Sequence, residues 1–321
     1  MKGGCSMRDV LTVTLNPALD LGTQIGSIVP NVKLRCAPAH LDPGGGGINV
    51  SRAMRILGGR SRTFVVLGGH NGEHMAKLMN EAGLEIIVHP SRGETRSSLS
   101  VIEESTGDQY RFMLPGPEWN ALDLTAASAS ITAAAIPGGL AVISGSIPPG
   151  VPDSILLDLS RSLNARGVGV IVDTSGEPLH IIANAGEGVT HVLRMNSHEA
   201  EDLAGRALTH LEESADFASS LVERGAARIV IVARGGEGSV LATRDLRLHA
   251  RAPQGPVHSL VGAGDSFVGA FTHGLAMEED LGRALSRGVA AASAAVMTAG
   301  TKLCRREDAE AILPKCTLRT I

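Results

Sequence analysis

Aromatic residues are scarce in this 321-residue chain: five Phe, one Tyr and one Trp. Its core must therefore be built from Ala, Val, Leu and Ile, and an aromatic platform for stacking nucleic-acid bases is excluded. Cysteine is scarce too. Cys5, Cys36, Cys304 and Cys316 are scattered, with no C-x-x-C pair and no His at ligand spacing. That excludes a disulfide framework and a zinc site and fits a reducing cytoplasm. The formal net charge is −4 and no run of Lys or Arg occurs, so neither nucleic acid nor an anionic membrane is the expected partner. Long hydrophobic runs are missing as well. Val168 to Val172 and Ile229 to Ala233 are strand-sized and cannot span a bilayer. The stretch ahead of Asp9 lacks the apolar core and cleavage site of a signal peptide. A cytoplasmic protein outside the membrane is expected.

What is present is an alternation of short β-branched runs with Ala/Leu-rich stretches of helical length. Strands are expected at 11–15, 63–67, 85–88, 140–143, 168–172, 191–193 and 229–233, and helices at 48–57, 73–82, 151–166, 197–204 and 212–225. The chain then reads as mostly helical, over 265–276, 279–298 and 306–313. This rhythm predicts an α/β protein with a mainly parallel sheet wrapped by helices. The length suits one large domain over 1–321 with an appendage. Two segments break the rhythm: 21–38 and 95–114 read as strands, the latter folded back at Ser105 to Asp108. They predict a small antiparallel sheet projecting as a lid, with Leu99 and Val101 on one face and serines on the other.

Chemistry concentrates in LVGAGDSFVGAFTHG, residues 260–274. Gly262, Ala263 and Gly264 leave successive N–H groups free to point at an anion, and the helix that follows adds its positive end. Asp265 would stand beside that anion, either as a proton acceptor for an attacking hydroxyl or as a helix cap. A second glycine-rich turn, Pro43 to Gly47, runs into the helix INVSRAMRIL. Four consecutive glycines imply that something approaches this backbone closely. Asn49 can cap the helix or bond a ligand hydroxyl. Asp20, just past the first strand, can grip sugar hydroxyls or belong to a turn. Arg96, Arg111 and Lys33-Leu34-Arg35 put positive charge in or beside the lid, suited to a phosphate. Asn196 and Glu199, three apart at a strand-to-helix junction, fit either magnesium-bound waters or a capping box. VIVARGGEGSVL, with Gly235 and Gly238, reads as strand, turn, strand and could form one wall of a nucleotide pocket.

In this order the segments resemble the PfkB/ribokinase family of sugar kinases over nearly the whole chain, and within it the phosphofructokinase branch. The resemblance is carried by KLRC at 33–36, PGGGGINVSRA at 43–53, QYRFMLPG at 109–116 and VISGSIPPGV at 142–151. VDTSGE at 172–177, VGAGDSFVGA at 261–270 and GTKLC at 300–304 complete it. It implies a ribokinase-like three-layer α/β/α sandwich carrying a β-lid through which a homodimer forms. The implied reaction is phosphorylation of the 1-hydroxyl of fructose 6-phosphate by ATP, with fructose 1-phosphate or tagatose 6-phosphate as alternative substrates and a non-catalytic sensor as the alternative class. By position, Asp265 is implied as general base and Gly262, Ala263 and Gly264 as the anion hole. Asp20, Gly45, Gly46, Asn49 and Ser146 are implied sugar-phosphate contacts and Arg96 a phosphate contact, with Arg35 reaching toward the neighbouring subunit's site. Asn196 and Glu199 match a magnesium motif. Arg194, Asn196, Gly235 and Gly238 fall on the nucleotide side. Potassium is admitted as an activator, held by carbonyls near Ser259, Val261, Ala295 and Gly300. Two departures stand out: Arg194-Met195 replaces a Lys-Pro pair, and Thr298 stands where Asn is expected.

Overall fold

The computed structural model describes residues 7–298, 300 and 302–321. Cys5, Ala299 of the expected cation loop and Thr301 of the GTKLC segment lie outside the described residues. In chain order the strands are β1 (Val10–Thr14), β2 (Ala18–Ile25), β3 (His40–Gly44), β4 (Arg62–Leu67), β5 (Glu85–Pro90), β6 (Arg96–Glu103) and β7 (Gln109–Met113). They continue as β8 (Leu140–Ser144), β9 (Gly169–Asp173), β10 (Val192–Asn196), β11 (Ile229–Ala233), β12 (Ser239–Ala242), β13 (Arg247–Arg251) and β14 (Thr317–Thr320). The helices are α1 (Gly46–Ile56), α2 (Gly69–Glu81), α3 (Ala121–Ala134), α4 (Ile155–Asn164), α5 (Glu177–Asn184), α6 (Ser197–Ala204), α7 (Leu211–Glu223), α8 (Ala263–Ala276), α9 (Leu281–Val296) and α10 (Arg306–Ile312).

Ten strands form one sheet in the order β14-β13-β12-β11-β10-β9-β8-β1-β4-β5. It is parallel from β11 to β5 and antiparallel along the β11-β12-β13-β14 edge. The central strands are apolar along their length because helices cover both faces. Alternate residues of β9 show this sorting. Val170 and Val172 join Ile131 of α3, Leu159 of α4 and Ile182 of α5, whereas Ile171 joins Phe267 and Phe271 of α8 and Leu285 of α9. The chain thus has the expected mainly parallel three-layer sandwich. Among the described residues, no helix is long and apolar enough to cross a membrane.

The lid is a separate four-stranded sheet, β3-β2-β6-β7. Its β6-β7 hairpin matches the expected 95–114 segment. The expectation for 21–38 needs correction: β2 starts earlier and stops at Ile25, and no strand follows until His40. Gly26, Pro30 and Pro38 interrupt the run, and Asn31 takes a positive φ of 66°, all unfavourable to a continued ladder. The missing partner, β3, lies where a glycine loop was expected. Pro43 is tolerated there because β3 is an edge strand, where a lost N–H breaks no ladder. The sheet is also mixed rather than antiparallel, since β2 pairs with β6 in parallel. Its serines and Leu99 sort to opposite faces as expected, although Val101, expected beside Leu99, is itself buried at 7% exposure. Ser98 and Ser100 are buried toward the body, while Leu99 and Phe112, paired side by side, are 37% and 53% exposed on the far face.

Candidate active site

The main sheet changes direction between β1 and β8: from β1 the chain builds outward through β4 and β5, and from β8 through β9, β10 and β11. Such a switch point opens a crevice at the carboxyl ends of the strands. Here it is a cleft of about 420 Å³ between sheet and lid, lined from both. That is enough for a drug-sized ligand or its equivalent.

One wall of the cleft is made by the glycine turn before α1, and what approaches these glycines is the chain itself. A Cβ on Gly46 would lie 2.3 Å from Ser144 Oγ and 2.7 Å from Gly145 N, and one on Gly47 would lie 2.6 Å from the Val13 carbonyl. Gly45, at φ 130°, faces Thr14. The bare backbone lets the start of α1 sink onto the ends of β1 and β8. From the other side α8 presses on α1, since a Cβ on Gly269 would meet Ala53 Cβ and the Val50 carbonyl at 2.9 Å. The two close approaches bring Asn49 and Asp265 together: Asn49 Nδ2 donates to Asp265 Oδ2 at 3.0 Å.

Asp265 is therefore no helix cap. The N-cap of α8 is Gly262, in the left-handed region at φ 76°, where a side chain would also strike Leu303. Gly262, Gly264 and Asp265 all line the cleft, so the first turn of a fourteen-residue helix turns its N–H groups and its positive end toward it. The Asp265 carboxyl keeps some solvent through the cleft mouth, but protein surrounds it otherwise. Loss of hydration, with the nearby charge of Asp173, pushes its pKa up to about 7, against the pull of Asn49, Arg194 and Arg52. A carboxylate poised near neutrality at a helix N-terminus is equipped to accept a proton from a hydroxyl held beside an anion.

The lid supplies the opposite wall. Asp20, Asp42, Arg96, Ser98, Ser100 and Arg111 point from it into the cleft. Burial raises the Asp20 pKa, with Ser98, Arg96 and Arg111 working the other way. Arg96 is braced by the Asn16 carbonyl, 3.3 Å from Nε and 3.1 Å from Nη2. Asn16 Nδ2 in turn donates to Ser146 Oγ at 3.1 Å, so Ser146 and Arg96 are positioned by one residue that was not singled out in the sequence.

On the remaining side lie β9, β10 and α6. Arg194 Nη1 donates to Asp173 Oδ1 at 3.0 Å, and its guanidinium sits 5.9 Å from the Phe267 ring centre. Burial works against this cation, but Asp173, followed by Glu199 and Asp265, holds its pKa above the ordinary arginine value. A Cβ on Gly264 would come within 3.2 Å of Arg194 Nη1, so Arg194 underlies the first turn of α8. Asn196 and Glu199 do form a capping box: Asn196 N–H donates to Glu199 Oε2 at 2.7 Å and Glu199 N–H to Asn196 Oδ1 at 2.9 Å. Glu199 nevertheless lines the cleft, and burial raises its pKa. Among the described residues no group of three or more His, Cys, Asp and Glu is placed to hold a metal ion.

Several of the expected residues do not line this cleft: Ala263, whose side chain packs on the Ala270, Ala291 and Cys304 cluster, Asn196, the cation-loop residues Ser259, Ala295 and Gly300, and the three that follow. Arg35 lies in the exposed segment between β2 and β3, and Gly235 and Gly238 belong to the turn between β11 and β12, away from the lining residues. Gly238 has a structural reason for its identity, as a Cβ there would lie 2.1 Å from the Ala250 carbonyl. The cation-loop residues do meet: Ser259 Oγ donates to the Gly300 carbonyl at 2.8 Å, and Thr298 Oγ1 lies 2.8 Å from the carbonyls of Ala295 and Lys302. Asp173, Arg52 and Asp42 are cleft residues that the sequence did not single out. For Asp173 the signal was available, a carboxylate closing the apolar run VIVD at the carboxyl end of a strand.

Comparison with known proteins gives the same picture. The model of the pfkB family carbohydrate kinases matches residues 20–308. The chain is 35% identical over 301 residues to the ATP-dependent 6-phosphofructokinase isozyme 2 of Mycobacterium tuberculosis, covering 94% of this chain and 88% of that protein. It is 36% identical over 303 residues to the isozyme 2 enzyme of Escherichia coli, covering 94% and 97%. Against the 1-phosphofructokinase of Bacillus subtilis the identity is 30%, over 95% and 98%. Phosphofructokinase-2 from Escherichia coli superposes with a TM-score of 0.89 in complex with fructose 6-phosphate, at 34% identity, and of 0.91 in complex with potassium, at 35%. Both cover 96% of this chain and 99% of that one. The cleft between sheet and lid, a sequence match along nearly the whole chain and this superposition agree: the chain belongs to the pfkB family of carbohydrate kinases and is a sugar kinase.

Proposed function

We propose that this kinase transfers the γ-phosphoryl group of ATP to the 1-hydroxyl of fructose 6-phosphate. The observation that carries the reading is Asp265, a carboxyl raised to about 7 at the N-terminus of α8, across the cleft from a lid face that presents Arg96, Arg111 and Asp20. A doubly charged phosphate on the sugar suits the arginines, and a sugar hydroxyl pair suits Asp20. In the transfer, the C1 oxygen forms a bond to Pγ as the bond to the leaving ADP oxygen breaks, and the hydroxyl proton passes to Asp265. The N–H groups of Gly262, Ala263 and Gly264, with Arg194 beneath them, stabilise the charge on the transferring group.

Magnesium fits the oxygen-donor character of Asn196 and Glu199. One Glu199 oxygen is committed to the capping box, and the other is left for a magnesium-bound water. The ion would neutralise nucleotide phosphate charge. Potassium is proposed at the loop where Ser259, Gly300, Ala295 and Thr298 converge, through backbone carbonyls. The whole chain is read as one cytoplasmic kinase domain. It is proposed to work as a homodimer, because Leu99, Phe112 and Tyr110 lie exposed on the outer lid face and a second lid would cover them. Arg35 would then have a partner site to reach.

The test is a coupled kinase assay with fructose 6-phosphate, fructose 1-phosphate, tagatose 6-phosphate and unphosphorylated fructose side by side, with and without magnesium and potassium. The highest kcat/KM is expected for fructose 6-phosphate. A preference for fructose 1-phosphate would favour the reading suggested by the similarity to the Bacillus subtilis enzyme, and no turnover with any sugar would favour a sensor.

A further inference from the structure

Arg52 touches the lid and the catalytic helix pair at once. Its Nη2 donates to Asp42 Oδ1 at 3.0 Å, and its Nη1 donates to Asn49 Oδ1 at 3.2 Å and lies 3.4 Å from the Pro43 carbonyl. Asp42 and Pro43 belong to β3, the edge strand of the lid, and Asn49 sits one turn earlier on α1. Asn49 then donates from Nδ2 to Asp265. The four side chains form a continuous line, Asp42, Arg52, Asn49, Asp265, from lid to base.

The order of donors and acceptors along this line is fixed by chemistry. A guanidinium can only donate, so the Asn49 amide oxygen has to face Arg52 and its NH2 group has to face Asp265. With the amide turned over, two donors would meet on one side and an oxygen would face a carboxylate on the other. An NH2 donor on Asp265 favours the ionised carboxylate, which is the form that accepts a proton.

We propose that Arg52, held by Asp42 of the lid, is a positioning residue that fixes the Asn49 amide so that the base is oriented and kept ionised, and thereby couples lid seating to catalysis. The inference rests on the reading of Asp265 as general base. It assigns Arg52 a positioning role exerted mainly through Asn49, beside the smaller direct pull of its charge on Asp265. The charged groups acting on Asp265 are Asp173 from β9, Arg194 from β10 and Arg52 from α1. Arg52 is the one among them that also pairs with the lid.

The experiment compares Arg52→Gln, Arg52→Lys, Asp42→Asn, Asn49→Ala and the double variant Arg52→Gln/Asn49→Ala. Each is checked for folding by circular dichroism and assayed across pH. Arg52→Gln is expected to lower kcat by roughly tenfold to a hundredfold, the scale of a slightly misplaced catalytic group. The KM values for sugar phosphate and ATP should change much less, and the acid limb of kcat/KM should move to higher pH. Arg52→Lys restores part of the rate, and Asp42→Asn shows a weaker form of the same defect. Above the acid limb the double variant should be little slower than Asn49→Ala alone, since the orientation that Arg52 imposes passes through Asn49, while its direct charge effect shows only as a small shift of the acid limb. Additive losses, or a raised sugar KM with unchanged kcat and acid limb, would overturn the proposal and make Arg52 a substrate contact. If Arg52→Gln fails to fold, the Lys and Asp42 variants decide by the same criteria. Near-normal turnover of Asp265→Asn would instead remove the base assignment, whatever Arg52 does.

Discussion

Replacing Asp265 with Asn should make the protein more stable and almost inactive, and both effects can be sized from its surroundings. The side chain keeps its shape, and its oxygen can still accept from Asn49, so little repacking is expected. What disappears is a proton acceptor, worth about 10²–10⁴ in kcat, and a charge that is unfavourable to hold in the cleft. With a pKa moved from 3.8 to about 7, the native carboxylate is destabilising by at most about 4 kcal/mol at 1.36 kcal/mol per pH unit. Solvent reaching it through the cleft mouth reduces this to roughly 2–3 kcal/mol.

The sign follows from linkage. A carboxyl whose folded pKa lies above its unfolded one contributes stability that is fully present below the unfolded value and lost as pH rises through the folded value. The wild type therefore loses this contribution between about pH 4 and pH 7, and the Asn variant does not. The variant should melt roughly 4–6 °C higher at about pH 8, given about 2 °C per kcal/mol for a chain of this length. The gain should largely vanish near pH 4.5. Scanning calorimetry at the two pH values, alongside the coupled kinase assay, reads both effects. Turnover near the wild-type rate would refute the base assignment. Lost turnover with no stabilisation at high pH would refute the claim that burial and Asp173 set the carboxyl's pKa.

Three further substitutions probe the other walls of the cleft. Arg96→Ala should raise the sugar-phosphate KM by more than about tenfold while leaving that for ATP nearly unchanged, because one charge-assisted contact is lost at a single substrate; equal effects on both constants would point to a lid-folding role. Gly262→Ala should reduce kcat by about a hundredfold or more, since the new methyl meets Leu303 at a φ of 76° and displaces the anion-binding N–H groups; full activity would show that these groups do not hold the phosphoryl. If the proposed dimer forms through the lid, Leu99→Asp should weaken it and raise the sugar-phosphate KM together, by placing a charge on the outer lid face. An unaltered sedimentation profile with normal kinetics would leave that face without a partner.

The parts of the fold that were legible in the sequence are those whose physics is local. A run such as VIVD or IVIVA, bounded by turn residues, reads as a strand buried on both faces, and the Ala/Leu-rich stretches that alternate with such runs announce the helices between. Segments escaped where that signal is weak. In α3, TAASASITAA is so uniformly small that no apolar stripe stands out, although its Asn120 cap and Asp123 form a capping box. The lid's β3 escaped for the opposite reason: Pro43 and Gly44 read as a turn, and only pairing with β2, across a segment without strand structure, makes it an edge strand.

The site divides along the same line. Asp265, its glycines, Asn49 and the Asn196–Glu199 pair sit in contiguous motifs, and the structure brings all of them to one cleft or its rim. Arg52 and Asp173 sit inside quoted motifs, PGGGGINVSRA and VDTSGE, but like Asp42 and Asn16 they take their roles from partners elsewhere in the fold, at distances that the sequence does not show. Asp173 lies about ninety residues before Asp265, yet its charge helps set the pKa of the proposed base. A motif can name the group that accepts the proton. Whether that group is ionised when the sugar arrives depends on a cation, an amide and a second carboxylate, supplied by α1, β9 and β10 and brought together by glycines small enough to let the helices and strand ends approach.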